Sequence, residues 1–188
     1  MLQRCPWVNL KNPEYVKYHD EEWSRPKHKD QELYELLILE SFQAGLSWEC
    51  VLNKREAFRK AYDNFEIEKI VAYDDKKIDE LLKNPAIIRN KLKVKASIRN
   101  SLIFQNIQKE FGSFDNYIWG FSNHKIITED CMSHTTSPLS DIISKDLKKR
   151  GMTFVGSTII YSYLQAIGMI DAHHCGCFLH NTASSPSK

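Results

Sequence analysis

A chain of 188 residues suits one domain and is long enough to bury a real core. Its 42% hydrophobic and 27% charged residues exclude a disordered chain, and only 7 Gly and 6 Pro argue against a turn-rich sandwich or barrel. Lys and Arg number 26 against 24 Asp and Glu, a net charge of +2 that by itself announces no polyanion.

The opening, MLQRCPWVNL, lacks the apolar stretch of a signal peptide, and no window reaches 18 uninterrupted apolar residues. Neither export nor a membrane span is expected. The cysteines number five, an odd count. In a cytoplasmic protein they read as metal ligands or buried thiols, not as a disulfide framework. Trp7, Tyr15, Tyr18 and Trp23 crowd the first part of the chain. Tyr15 and Tyr18 share a face if that part is helical. The cluster is either a hydrophobic cap over the core or a stacking surface for bases.

Asp30 is placed to cap a helix, with Gln31 and Glu32 in its first turn. Leu33, Leu37, Glu40 and Ala44 follow at helical spacing, and Gly45 closes the pattern. Glu40 falls on the apolar face of this helix. A carboxylate buried there must be paired, protonated or functional, because an unpaired one costs several kcal/mol. Trp48 follows two turns later. A carboxylate and an indole at one helix end are parts from which a pocket for a planar base could be built.

Helical patterns continue over residues 51–64, 66–73, 75–83, 89–111 and 114–119, and residues 125–128 offer a brief strand. Pro138 sits in the first turn of a further helix after Ser137, running to Arg150. Ser157 or Thr158 is expected to cap the last long helix. The predicted class is all-α, without repeats. Residues 1–180 form a single domain, and the Ser-rich residues 181–188 form a disordered tail.

Charge is uneven along this order. Residues 81–109 hold Lys83, Arg89, Lys91, Lys93, Lys95, Arg99 and Lys109 with no acid. They are either a solvated face or a polyanion surface. A second basic stretch, Lys148-Lys149-Arg150, runs into Gly151 and Gly156 with Phe154 and Val155 between. This is the build of a helix-hairpin-helix, whose amides and following helix N-terminus favour phosphate. The glycines permit a positive φ or a close backbone approach there. At the C-terminal end, His173 and Cys177 are four apart, and with Cys5 and His19 they could complete a tetrahedral zinc site. The spacing is not specific, and His174 and Cys175 compete as ligands.

Several of these segments, in order, resemble one family. Arg4-Cys5-Pro6-Trp7, the run from Tyr15 to Asp20, and Glu22-Trp23 are similar to the opening of the bacterial DNA-3-methyladenine glycosylase I family. Leu39-Glu40-Ser41-Phe42-Gln43-Ala44-Gly45-Leu46-Ser47-Trp48 resembles its most diagnostic segment. Lys148 onward resembles its hairpin region, and Ala172-His173 with Gly176-Cys177 its zinc motif. Phe42 and the pair His174-Cys175 depart from the residues usual in the family.

The resemblance implies an all-α fold of the helix-hairpin-helix glycosylase superfamily, with a zinc site joining the N- and C-terminal segments. It implies hydrolysis of the N-glycosidic bond of 3-methyladenine in alkylated double-stranded DNA, releasing the free base and leaving an abasic site without strand cleavage. Carried over by residue, Glu40 is catalytic, and Tyr15, Tyr18 and Trp48 bind the base. Lys149, Arg150, Gly151 and Gly156 meet the DNA backbone. Cys5, His19, His173 and Cys177 hold one structural Zn2+. No catalytic role falls on Asp171, and a cytoplasmic monomer is expected. The alternative is a zinc-stapled helical DNA-binding module without catalysis.

Overall fold

The computed structural model describes residues 2–129 and 134–180, so the tail predicted for 181–188 lies outside the described residues. The described chain is mostly helical. Ten α-helices follow one another: α1 (Pro13–Lys17), α2 (Asp30–Gln43), α3 (Trp48–Leu52), α4 (Arg55–Ala61), α5 (Ile67–Val71), α6 (Asp75–Lys83), α7 (Lys91–Phe111), α8 (Phe114–Gly120), α9 (Pro138–Lys149) and α10 (Ser157–Ala166). Two short strands, β1 (Ile127–Thr128) and β2 (Ile170–Asp171), pair in parallel with Ile127 opposite Ile170. No helix among the described residues is long and apolar enough to cross a membrane.

The core forms around α2, which packs against α10, α7, α8 and α3. The single apolar stripe expected for α2 understates it. Tyr34 and every residue from Leu36 to Phe42 are buried, so the helix is enclosed on all sides. Phe42 points into the core, its ring 4.8 Å from that of Phe58. Asp30 does not cap α2, whose N-cap is Lys29. Its carboxylate turns outward to the neighbouring helix and accepts from the amides of Phe114 and Asp115, both at 2.9 Å, at the start of α8. Two orphan amides at a helix start are a stronger demand than one local cap.

The helix expected over 51–64 is broken into α3 and α4. A left-handed stretch follows at Asp63, Asn64 and Phe65, held where Gln31 Nε2 donates to the carbonyls of Asn64 and Phe65. Two expectations near α9 divide. Ser137 caps α9 in a reciprocal capping box with Ser140, and Pro138 stands in the first turn. The N-cap of α10, however, is Gly156, not Ser157 or Thr158, and no side chain caps that helix.

A five-residue π-helical turn, Tyr18–Glu22, continues α1 and closes where the amide of Trp23 donates to the Tyr18 carbonyl at 2.8 Å. The wider turn buries both Tyr18 and its neighbour His19. Gly168 (φ +75) lets this N-terminal segment close on the end of α10. A Cβ there would come within 2.4 Å of the Arg25 and Pro26 backbone.

Candidate active site

The end of α2, the first thirty residues and α10 enclose a cavity of about 150 Å3. Trp7, Tyr15, Tyr18, Trp23 and Trp48 form its aromatic walls, and Glu40, Gln43, Ser162 and Gln165 its polar ones. The rings brace one another. Tyr18 and Trp48 lie 5.4 Å apart between centroids, Trp7 and Tyr15 5.2 Å, and Trp7 and Trp23 4.9 Å. Glu40 and Trp48 therefore line one cavity, together with the two tyrosines singled out in the sequence.

Glu40 is 2% exposed and enters no ion pair among the described residues, and its Oε2 is buried without a hydrogen-bond partner. Burial holds its carboxyl well above the usual carboxylate range. Trp48 Nε1, a donor, is likewise buried and unsatisfied. The Tyr18 hydroxyl is pushed well above 10, by burial first and then by Glu40; Tyr15 is pushed up to about 12, by burial and then by Glu49 and Glu40. The cavity thus offers unsatisfied polar atoms between aromatic faces, an environment that rewards a planar ligand with a charge or donors to place against a carboxylate.

Trp7 and Trp23 belonged to the aromatic cluster but were not assigned to the site. Ser162 and Gln165 were missed altogether. They are the two residues of 161–170 that escape full burial, and their signal was a pair of polar side chains, three apart, in the otherwise apolar and aromatic stretch 159–166.

Behind the Trp7 and Trp23 wall, Cys5, His19 and Cys177 converge. All are buried, with ligand atoms within 4.8 Å of one another. Cys177 Sγ lies 3.5 Å from His19 Nε2. The ring of His173 stands 5.5 Å from that of His19, and its Nε2 is buried with no partner. Each imidazole is oriented by a carboxylate on its other nitrogen, His19 Nδ1 at 2.8 Å from Asp20 and His173 Nδ1 at 2.6 Å from Asp171. Asp171 is thereby committed to positioning His173. Of the competing candidates, Cys175 is exposed and His174 Nδ1 accepts from the Gly176 amide.

Between α9 and α10 the loop of residues 150–156 makes a tight hairpin. Gly151 takes a φ of +101, as its sequence position suggested, but Gly156 is extended at φ −62 and the second left-handed residue is Phe154. Asn100 of α7 clamps the loop from both sides, donating to the Thr153 carbonyl at 2.9 Å and accepting from the Thr153 amide at 3.0 Å. Arg150, expected to face phosphate, is turned back onto Asp146 at 2.7 Å and Glu110 at 2.6 Å, over the Phe111 and Tyr117 rings. An acid four residues earlier on its own helix and another on α7 outcompete solvent for the guanidinium. Lys148 and Lys149 remain exposed beside the loop.

Known proteins resemble this chain in sequence and in fold. The family model described as methyladenine glycosylase matches residues 7–180. The chain is 39% identical over 181 residues to a DNA-3-methyladenine glycosylase of Haemophilus influenzae, covering 94% of this chain and 97% of that protein. It superposes on a crystal structure of 3-methyladenine DNA glycosylase I with a TM-score of 0.91 at 39% identity, covering 95% of this chain and 100% of the other. A variant of 3-methyladenine DNA glycosylase I solved in complex with 3-methyladenine superposes with a TM-score of 0.88 at 33% identity, covering 93% and 95%.

Proposed function

The chain belongs to the methyladenine glycosylase family, and from that premise we propose that its aromatic cavity receives 3-methyladenine flipped out of alkylated DNA. The enzyme hydrolyses the N-glycosidic bond. Water adds to C1′ of the sugar, and the C1′–N9 electron pair passes to the base. That pair cancels the positive charge that N3-methylation put on the ring, and the water releases its proton. The products are the free base and an abasic site, with no lyase step.

One observation carries this reading: a fully buried carboxylate, unpartnered at Oε2, inside a box of aromatic rings. Glu40 can accept from the base edge and offset the positive charge of the methylated ring. Trp48 and Tyr18 can stack on it, where cation–π attraction adds roughly 0.5–2 kcal/mol. Neutral adenine gains neither charge term and stays in the duplex, whereas a damaged base costs less to extrude. A DNA-binding module without catalysis would leave this cavity unexplained. The α9–α10 hairpin serves as the helix-hairpin-helix element. Gly151, the uncapped α10 start at Gly156 and exposed Lys149 meet backbone phosphate, while Arg150 braces the loop.

The residues behind the pocket fit one zinc ion. Two thiols and the His19 imidazole lie together; His173 stands beside this group of three, outside it, with a buried unpartnered Nε2, and with each imidazole held by a carboxylate the four suit a Cys2His2 donor set. Cys5, His19, His173 and Cys177 would hold it. Four protein ligands close a tetrahedron, so the ion when bound supplies a crosslink between the two ends of the domain and no catalytic water.

Glu40→Gln tests the reading of the pocket. The variant should fold and bind undamaged duplex as the parent does, lose affinity for free 3-methyladenine, and release base about 10–100-fold more slowly, or about 1.4–2.8 kcal/mol. Normal single-turnover release by the folded variant would defeat the assignment.

A further inference from the structure

We propose that the exposed face of α7 bearing Lys91, Lys95 and Arg99 is a second phosphate track, which holds the DNA backbone beyond the hairpin. This rests on the reading of the chain as a DNA glycosylase and says where else the duplex is gripped. The three cations stand at i, i+4 and i+8 and all are exposed, so they form one ridge of the helix. The ridge rises about 6 Å per step, or about 12 Å in all. Measured along the duplex axis, where each strand carries one phosphate per about 3.4 Å, that length spans three to four phosphates.

No ion pair engages these three residues among the described residues. Several cations elsewhere on the surface have carboxylates beside them: Lys29 has Glu32, Lys69 has Glu66, Lys77 has Glu80, and Arg59 has Glu35. The sequence from 81 to 109 contains no acid that could supply one locally. The lysines also crowd the start of α7, whose first turn has no acidic residue. Positive charge there opposes the helix dipole, so the arrangement costs helix stability in the absence of an anion.

The ridge leads to the hairpin. A Cβ on Gly151 would lie 2.9 Å from Arg99 Nη2, so the guanidinium rests against the loop's left-handed glycine. The next residue, Asn100, is the clamp on Thr153. A strand held at the hairpin therefore has a row of unpaired cations continuing along α7. The partner is the phosphodiester backbone of that strand, bound without sequence preference.

The test is duplex affinity across a salt series for the triple variant Lys91→Gln, Lys95→Gln, Arg99→Gln. The slope of log affinity against log salt should fall by about two to three units, since each phosphate contact contributes about 0.9. Affinity for free 3-methyladenine should hold, and the melting temperature should not fall, since the charges removed oppose the helix dipole. A control triple off α7, Lys29→Gln, Lys60→Gln and Lys125→Gln, should leave the slope within about half a unit of the parent. An unchanged slope in the α7 variant, or an equal fall in the control, overturns the proposal. Lys149→Gln in the same series judges the hairpin separately. If Lys149→Gln loses slope and the α7 variant does not, the ridge is a solvated surface and the glycosylase reading stands. If the parent protein shows no salt-dependent duplex binding, both readings fail.

Discussion

The base pocket and the hairpin face use polar groups in opposite ways. In the pocket, Glu40 Oε2 and Trp48 Nε1 are buried and left unsatisfied, and rigid rings surround them. At the hairpin, the buried polar groups are paired: Asn100 with Thr153, and Ser144 Oγ with the Val155 carbonyl at 2.7 Å. Its unpaired charges are exposed lysines. An unsatisfied buried group is costly until a ligand completes it, so it discriminates strongly between ligands. An exposed cation is inexpensive and attracts any phosphate, so it positions DNA without choosing a lesion. On the proposed function, selectivity and affinity are housed in separate regions.

The largest expected effect comes from breaking the support of one region only. The walls Trp7 and Trp23 rest on the Cys/His cluster, with Trp23 4.7 Å from the His173 ring and Trp7 5.3 Å from His19. Among the described residues no ring of the hairpin makes such a contact. Cys177→Ala should therefore abolish zinc binding and destabilise the fold by about 3 kcal/mol or more. That corresponds to a Tm loss of roughly 6–12 °C for a chain this size. Below the lowered Tm, affinity for free 3-methyladenine should fall while the salt slope on undamaged duplex persists. Metal analysis should find about one zinc per chain in the parent and none in the variant. A parent purified without chelator that carries no zinc would remove the site altogether.

A middle effect tests whether the two regions are mechanically joined. Lys93 of α7 is buried, and its Nζ donates to the carbonyls of Phe42 at 2.8 Å and Ala44 at 2.5 Å, at the C-terminal end of α2. Its ammonium also faces the Phe154 ring of the hairpin at 6.0 Å. One side chain thus caps the helix that carries Glu40 and underlies the α9–α10 hairpin. Burial lowers its pKa below 10.5, yet the helix-end carbonyls suit a cation. Lys93→Met keeps the apolar stem and deletes the charge-assisted bonds, which should cost roughly 1.5–3 kcal/mol of stability. Base affinity and duplex affinity should both decline in this variant. If only stability changes, Lys93 is a brace for α2 and joins nothing.

What was legible in the sequence follows the same division. Glu40 stood out because a carboxylate on an apolar helix face is an anomaly that local pattern exposes, and Trp48 because it follows at the same helix end; the place of Tyr15 and Tyr18 beside them was implied by the family resemblance. The helices over 75–83 and 89–111 were legible from periodicity, and α6 and α7 occupy them nearly residue for residue. Asp30 was misread because its acceptors were claimed by α8, more than eighty residues away in sequence. Arg150 was misread for a similar reason, since Glu110 lies on a different helix. Gly156 was expected to use its conformational freedom, but the left-handed position fell on Phe154, where nothing in the residue type announces it. Local chemistry revealed the anomalous groups, and tertiary pairing decided how the ordinary ones were spent.

The smallest effect, and the sharpest on the pocket itself, is in the pH response of Glu40. Its folded pKa is raised by burial above an unfolded value of about 4.3, so the folded state holds its proton more tightly. Stability therefore falls as pH rises from the unfolded value through the folded one, and the full penalty is present above it. Glu40→Gln removes the penalty. Its Tm should exceed that of the parent at pH 8 and match it most closely near pH 4. Activity should run the other way. A neutral carboxyl cannot offset a cationic base, so single-turnover release at subsaturating enzyme should decline for the parent as pH falls through the raised pKa, by at most about tenfold per unit. Tyr15 and Tyr18, both raised above 10, stay neutral across that range and contribute no limb of their own. The Gln variant should lack the acidic limb. A variant that is less stable than the parent at pH 8 and keeps the limb would place Glu40 among the structural residues. Selectivity would then have to come from the aromatic walls alone.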